Sequence, residues 1–313
     1  MKRWRRRSRL AFAASALAIG LFICASNSCL YLSHQRFPFL AHLQLNHRSD
    51  SSLRVLKPVV VGHRGIPRTS TNPNATPNST IGNTRASIKE AALSEHIDWI
   101  EIDVRRTADG KLVLFHDARL EEKTDLEGKV ESTDWIDLQK AKLWVENEDD
   151  QSILLLETVL TDFSSPDLRW ILDIKLDSES EHRKQEAEIL KRDVVGLLKE
   201  MQVPDANVLI FGDREVLEAF HESGCRCGYT ALYETHKSLV LSHSEVLQRC
   251  EDNACDLLVV PIVFLTPSLV QSAQERGIKV WSYDSNDAWD LQYCLECGVE
   301  GLIVDRPVID VLP

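Results

Sequence analysis

One pattern limits what this chain can fold into: short apolar, β-rich runs alternate with amphipathic helical stretches along the whole body. The runs fall at 58–63, 98–104, 112–116, 169–175, 207–211, 228–233, 257–261, 278–284 and 301–305. Helical periodicity covers 84–95, 134–143, 180–202, 213–223, 240–252, 267–276 and 287–297. Such alternation, sustained over about 255 residues, predicts an α/β fold with a parallel sheet. Eight strong runs and a ninth short one fit a distorted (β/α)8 TIM barrel with one irregular closing segment. A doubly wound open sheet is the alternative. The 313-residue chain is long enough to bury a full core without disulfide or metal staples. No Gly-x-Gly-x-x-Gly follows the first run and no Gly-Lys-Ser/Thr loop is present, which argues against a nucleotide cofactor.

Ahead of this body, residues 1–9 form a basic tail containing Lys2, Arg3, Arg5, Arg6, Arg7 and Arg9, and residues 10–32 are uncharged and mostly apolar. That asymmetry predicts an amino terminus in the cytoplasm. The apolar stretch is long enough for an N-terminal transmembrane helix, a signal anchor. A cleaved secretory signal, with a weak small-residue site at 25–28, is the competing reading. Both put a linker at 33–57 and a domain at 58–313 on the lumenal or extracellular side, as a single-pass membrane protein or, after cleavage, a secreted one. The sequons Asn74-Ala75-Thr76 and Asn78-Ser79-Thr80 agree with that side. Six cysteines lie in the body, at 225, 227, 250, 255, 294 and 297. Some disulfides or free buried thiols are both open to them, and no spacing resembles a zinc site.

The formal net charge is −12, and six of the 36 basic residues sit in the tail, leaving 30 against 48 acidic ones in the rest. So acidic a body argues against a nucleic-acid partner, which needs a basic surface. It is compatible with a small anionic substrate held by a metal ion.

The polar residues at the ends of the runs are the candidate site, because chemistry in such a barrel sits at the carboxyl ends of the strands. They are His63-Arg64, Glu101-x-Asp103, His116-Asp117, Asp173-x-Lys175 and Asp284. Glu101 and Asp103 share one face of their strand. Two inward carboxylates repel unless something positive sits between them, and an oxygen-preferring divalent cation, Mg2+ or Ca2+, suits them. Asp173 would be a third ligand. The alternative is a structural ion network with Arg64, Arg105 or Lys175. His63 and His116 could act as general base and general acid. Arg64 and Lys175 suit the oxygens of a phosphate.

The chain also resembles the glycerophosphodiester phosphodiesterases. The matching pieces are GHRG (62–65), Asn83-Thr84, EIDVRRTADGKLVLFHD (101–117), LEGKV (126–130), LLLETVL (154–160), LDIK (172–175), VWSYD (280–284) and GVEGLIVDRP (298–307). They occur in family order and cover roughly the whole of 58–310. The resemblance implies a distorted TIM barrel, one divalent cation, and hydrolysis of glycerophosphodiesters to an alcohol and glycerol 3-phosphate. In that chemistry the neighbouring glycerol hydroxyl attacks phosphorus, and the cyclic phosphate is then hydrolysed. The resemblance assigns catalysis to His63 and His116, phosphate contact to Arg64 and Lys175, and metal binding to Glu101, Asp103 and Asp173. The substrate would be a small glycerophosphodiester or a lysophospholipid. A non-catalytic phosphodiester-binding barrel and a phospholipase D-like enzyme forming cyclic phosphates are the alternatives. Four departures stand out. Gly82 replaces the Glu of the usual Pro-Glu-Asn-Thr, Asp173 replaces a Glu, Glu122 stands where an Arg is usual, and Trp281-Ser282-Tyr283-Asp284 replaces Trp-Thr-Val-Asn.

Overall fold

The computed structural model describes residues 57–70, 80–146, 151–221, 223–230, 242–283 and 287–306. The basic tail, the apolar stretch 10–32, the sequon asparagines Asn74 and Asn78, and Asp284 lie outside the described residues. Among the described residues no helix is long and apolar enough to cross a membrane.

Eight parallel strands close on themselves. They are β1 (Val59–Gly62), β4 (Trp99–Arg106), β7 (Trp170–Ile174), β8 (Val208–Gly212), β9 (Arg226–Thr230), β10 (Leu257–Pro261), β11 (Lys279–Tyr283) and β12 (Gly301–Val304). β12 pairs with β1 and β1 pairs with β4, which completes the barrel predicted by the alternation and excludes the open sheet. The helices α1 (Arg85–Leu93), α4 (Arg183–Glu200), α5 (Arg214–His221), α6 (His243–Asp252), α7 (Pro267–Glu275) and α8 (Ala288–Cys297) follow strands as expected. A short helix α2 (Trp135–Leu138) lies in the excursion between β4 and β7, and α3 (Leu156–Asp162) replaces part of a stretch that had no predicted helix. Two small strands, β2 (Arg68–Thr69) and β3 (Thr80–Ile81), form a separate ribbon after β1.

One predicted barrel strand is not one. The run at 112–116 becomes β5 (Leu112–Leu114), antiparallel to β4, with β6 (Leu154–Leu155) beyond it. A parallel return needs a crossover of a dozen or more residues, and only 107–111 separate β4 from β5. Those residues make a tight turn instead: Thr107 Oγ1 donates to Asp109 and accepts from the Lys111 N–H, and Gly110 sits at φ 87°. The nine runs are therefore eight barrel strands and one outer hairpin strand. The other difference is one of bounds. The run at 228–233 begins earlier, at Arg226, and its last three residues lie outside the described ones.

Alternation along the strands sorts their residues into two cores. Val61, Trp99, Ile171, Leu209, Phe211, Leu257, Val259, Trp281 and Ile303 form a cluster that fills the barrel. Their neighbours Val60, Ile100, Leu172, Ile210, Leu258, Val280 and Leu302 face the helices. A third cluster, with Val113, Phe115, Leu120, Val130, Leu138 and Leu143, supports the outer hairpin. The six described cysteines are free thiols, all buried except the half-buried Cys225.

Candidate active site

The strand order β12–β1–β4–β7 brings four strand ends side by side. His63 follows β1 directly and its N–H donates to the Val304 carbonyl (2.9 Å). The chain then turns through two left-handed residues, Arg64 (φ 55°) and Gly65 (φ 76°). A Cβ on Gly65 would lie 2.5 Å from the Ser87 carbonyl, so only glycine lets this turn pack on the start of α1. The Arg64 carbonyl accepts from the Asn83 N–H (3.0 Å) and Ser87 Oγ (2.9 Å). Its N–H donates to Glu101 Oε2 (2.7 Å).

The same crowding accounts for a departure from the resembled family. A Cβ on Gly82 would stand 2.3 Å from the Cβ of Arg64. A Glu at this position would need the turn to move. Asn83 beside it is left-handed (φ 60°) and grips Asp103 twice. Its Nδ2 donates to Asp103 Oδ2 (2.8 Å), and its Oδ1 accepts from the Asp103 N–H (3.1 Å). Thr84 then caps α1 with a capping box closed by Ser87.

Glu101, Asp103 and Asp173 converge as predicted, with one ligand oxygen from each within 4.8 Å of the others, and all three are buried. The ion-network reading is also partly realised. Arg64 Nε lies 3.0 Å from Asp103 Oδ2, and Lys175 Nζ lies 3.2 Å from Asp103 Oδ1 and 2.7 Å from Asp173 Oδ2. Arg105 takes no part and turns to Glu131. Among the described residues no side-chain cation pairs with Glu101. Burial, then the charge of Asp103, push the Glu101 carboxyl up to about 7, against opposing effects of His63 and Arg64. Asp103 moves the other way: burial works against it, but Arg64, Lys175 and His116 together hold it far below the ordinary carboxylate range. A buried trio in which one carboxyl resists ionisation is short of positive charge, and its all-oxygen donors fit a hard divalent cation.

The two histidines reach this centre from opposite kinds of element, one from a barrel strand and one from the hairpin. His63 Nδ1 donates to Asp305 Oδ1 (2.7 Å), and His116 Nδ1 to Asp117 Oδ1 (2.9 Å). A carboxylate can only accept, so each bond fixes Nδ1–H and frees Nε2. Burial and Arg64 lower the affinity of His63 for a proton, but the bond to Asp305, its charge and that of Glu101 outweigh them and leave His63 above its usual value. His116 ends below its usual value, because burial and Arg64 exceed the support of Asp103 and Asp117. A small cavity lined by Arg64, Asn83, His116, Asp117 and Lys123 lies between the turn after β1 and the outer hairpin.

The seven residues to which the resemblance assigns roles therefore gather around one cluster, with Asp117 beside His116. Asp305 was missed, although the parallel register Gly62↔Val304 sets it next to His63. The signal was present: the last run, like the first, ends in a polar residue. The grip of Asn83 on Asp103 had no signal of spacing, because it depends on a left-handed turn.

Comparison with known proteins agrees with this architecture. The Glycerophosphoryl diester phosphodiesterase family model matches residues 63–309. A Mycobacterium tuberculosis protein named "Probable glycerophosphodiester phosphodiesterase 2" is 31% identical over 218 residues, covering 66% of this chain and 76% of its own. An Oleispira antarctica phosphodiesterase, solved with the product sn-glycerol 3-phosphate, superposes with a TM-score of 0.64 at 24% identity, over 80% of this chain and 94% of its own. A glycerophosphoryl diester phosphodiesterase fold from Agrobacterium tumefaciens gives a TM-score of 0.66 at 15% identity, over 81% and 96%. On the family match across the barrel, the chain belongs to the glycerophosphoryl diester phosphodiesterase family.

Proposed function

We propose that this protein is a cation-dependent phosphodiesterase that hydrolyses glycerophosphodiesters to an alcohol and glycerol 3-phosphate. The carrying observation is the buried trio Glu101, Asp103 and Asp173, flanked by two histidines whose Nδ1 atoms are tied to carboxylates. Glu101, Asp103 and Asp173 would hold one Mg2+ or Ca2+. Such a cation, when bound, offsets charge on the phosphoryl oxygens and acidifies a nearby hydroxyl.

The residues of the chain supply the rest. Arg64 and Lys175 stand over the carboxylates and orient the phosphate. His63 is the base: Asp305 behind it fixes its tautomer and stabilises the imidazolium formed when it takes the proton of the glycerol hydroxyl. That hydroxyl oxygen bonds to phosphorus, and the bond to the alcohol breaks. His116, whose lowered affinity for a proton makes its imidazolium a stronger acid, protonates the departing alkoxide. Water then opens the cyclic phosphate with the two roles exchanged, giving glycerol 3-phosphate. The test is a pair of substrates. His116→Ala should lose about 10²-fold or more in kcat on an alkyl diester and recover much of it on a p-nitrophenyl diester, whose leaving group needs no proton. His63→Ala should lose on both. The opposite pattern reverses the assignment. Cyclic phosphate as the sole product would make the enzyme phospholipase D-like, and no turnover with cation bound would make it a binding barrel.

The basic tail and the apolar stretch 10–32 support an anchored protein with its barrel on the non-cytoplasmic side. Glycans at Asn74 and Asn78 would follow the His63 turn and favour small diesters or single lysophospholipid molecules over packed lipid. Carbonate extraction with glycosidase treatment tests this. Barrel digestion by protease from the cytosolic side, without glycan, refutes it.

A further inference from the structure

His63 continues a barrel strand, so the closed sheet places it. His116 does not. It follows β5, a three-residue strand on a hairpin outside the barrel, and among the described residues its ring bonds to Asp117, the next residue, alone. That pair could swing together. Something else has to fix the backbone at 116.

Arg105 does so. It lies on β4 two residues beyond Asp103, on the same face as Glu101 and Asp103, and only 5% of it is exposed. Its Nε (3.0 Å) and Nη2 (2.8 Å) both donate to the His116 carbonyl, a two-toothed grip on one oxygen. Its Nη1 donates to Glu131 Oε1 (2.5 Å). Glu131 stands on the turn Val130–Ser132, and its other oxygen is buried without a partner. Three of the five guanidinium N–H groups, one on each nitrogen, are thus engaged away from the carboxylate trio. Beside it, the Phe115 N–H donates to the Asp103 carbonyl (3.1 Å). The metal-site strand therefore holds the His116 segment at two successive residues.

We propose that Arg105, oriented by Glu131, is a positioning residue that fixes His116 for proton transfer. This rests on the reading of His116 as catalytic. A planar fork suits the task because it restrains both the location and the direction of the carbonyl. The expected size follows from the cost of misplacing a reacting group by about 1 Å, which reaches about 10²-fold.

The experiment measures kcat, KM and cation affinity for Arg105→Ala, Arg105→Lys and Glu131→Gln, each alone and with His116→Ala, with thermal melts to show that each variant is folded. Arg105→Ala should lower kcat about 10- to 100-fold with KM within a few-fold. Arg105→Lys, with a single nitrogen in place of the planar fork, should fall between it and the parent. Glu131→Gln should cost less than either. With His116→Ala already present, none should cost more, since a residue that acts through His116 has nothing left to act on. Cation affinity should not change. Full loss on top of His116→Ala, weakened cation binding, or normal kcat in folded Arg105→Ala and Glu131→Gln each overturns the proposal. Parent-like kcat in His116→Ala would instead remove the catalytic reading beneath it.

Discussion

The barrel has two walls made by the same strand geometry. On the β1–β4–β7 side the inward positions are His63, Glu101, Asp103, Asp173 and Lys175, above Val61, Trp99 and Ile171. On the β8–β11 side they are Leu209, Phe211, Leu257, Val259 and Trp281, with Phe211 and Trp281 edge to face at 6.5 Å. The first wall accumulates like charges that oppose folding. The second contributes apolar burial and almost no chemistry. Among the described residues the buried carboxylates of the trio are thus gathered on one side, and the opposite side supplies packing that holds them in place.

The largest effects should come from the polar wall, and they should be chemical. EDTA should abolish turnover, and Glu101→Ala should weaken cation binding. His63→Ala and His116→Ala should each lower kcat by about 10²-fold or more while the fold is kept. Asp305→Asn should reproduce part of the His63 loss, because an amide cannot stabilise the imidazolium. Full activity in EDTA, with no metal on the protein, would erase the distinction between the walls.

Leu209→Ala probes the other side. Truncating a buried Leu costs about 2–5 kcal/mol of stability, read as a lower denaturation midpoint. Its kcat and pH profile, measured well below that midpoint, should match the parent. A specific loss of kcat with unchanged stability would mean that the apolar wall takes part in catalysis.

This contrast also governs how much could be read from the sequence. The barrel was legible because buried parallel strands are continuous apolar runs, such as VVVG and LLVV, separated by helical periodicity. The catalytic wall was legible for the complementary reason: Glu101, Asp103 and Asp173 interrupt those runs at strand ends, where a buried charge has a cost and so a purpose. The hairpin was misread as a barrel strand because its residues, LVLFH, have the same composition; only the five-residue link before them separates the two topologies. The partners of the site residues were the least legible. Asp305 and Arg105 owe their roles to register and to a hairpin return, and Asn83 to a left-handed turn.

A pH experiment sharpens the energetic side of the comparison. In the metal-free protein the Glu101 carboxyl titrates near 7, above its value of about 4.3 when unfolded. The folded state then binds the extra proton, so stability should fall as pH rises from about 4.5 to 7, by up to about 3 kcal/mol. Glu101→Gln should remove this slope and leave the metal-free protein more stable than the parent at pH 8. Added cation should remove it too, by displacing the proton, and cation affinity should weaken by up to about tenfold per pH unit below 7. A parent protein whose metal-free stability rises across the same range would place the uncompensated charge elsewhere.

The smallest effect concerns the departure at Asp173, where the resembled family carries Glu. The Asp173 carboxylate sits 2.7 Å from Lys175 Nζ and contributes one of the three converging oxygens. It is 9% exposed, at the open edge of the trio rather than sealed like Asp103. An added methylene can therefore be taken up toward the mouth, and Asp173→Glu should keep kcat and cation affinity within about tenfold, below the cost of forcing a methylene into a closed core. Asp173→Ala removes the oxygen and one carboxylate partner of Lys175. Its cation affinity should drop by far more than that of the Glu variant. Calorimetric titration of both with Mg2+ and Ca2+ separates the cases. Equal loss in the two would mean that Asp173 holds Lys175 in place rather than a metal, and the polar wall would then have two ligands and a structural ion pair.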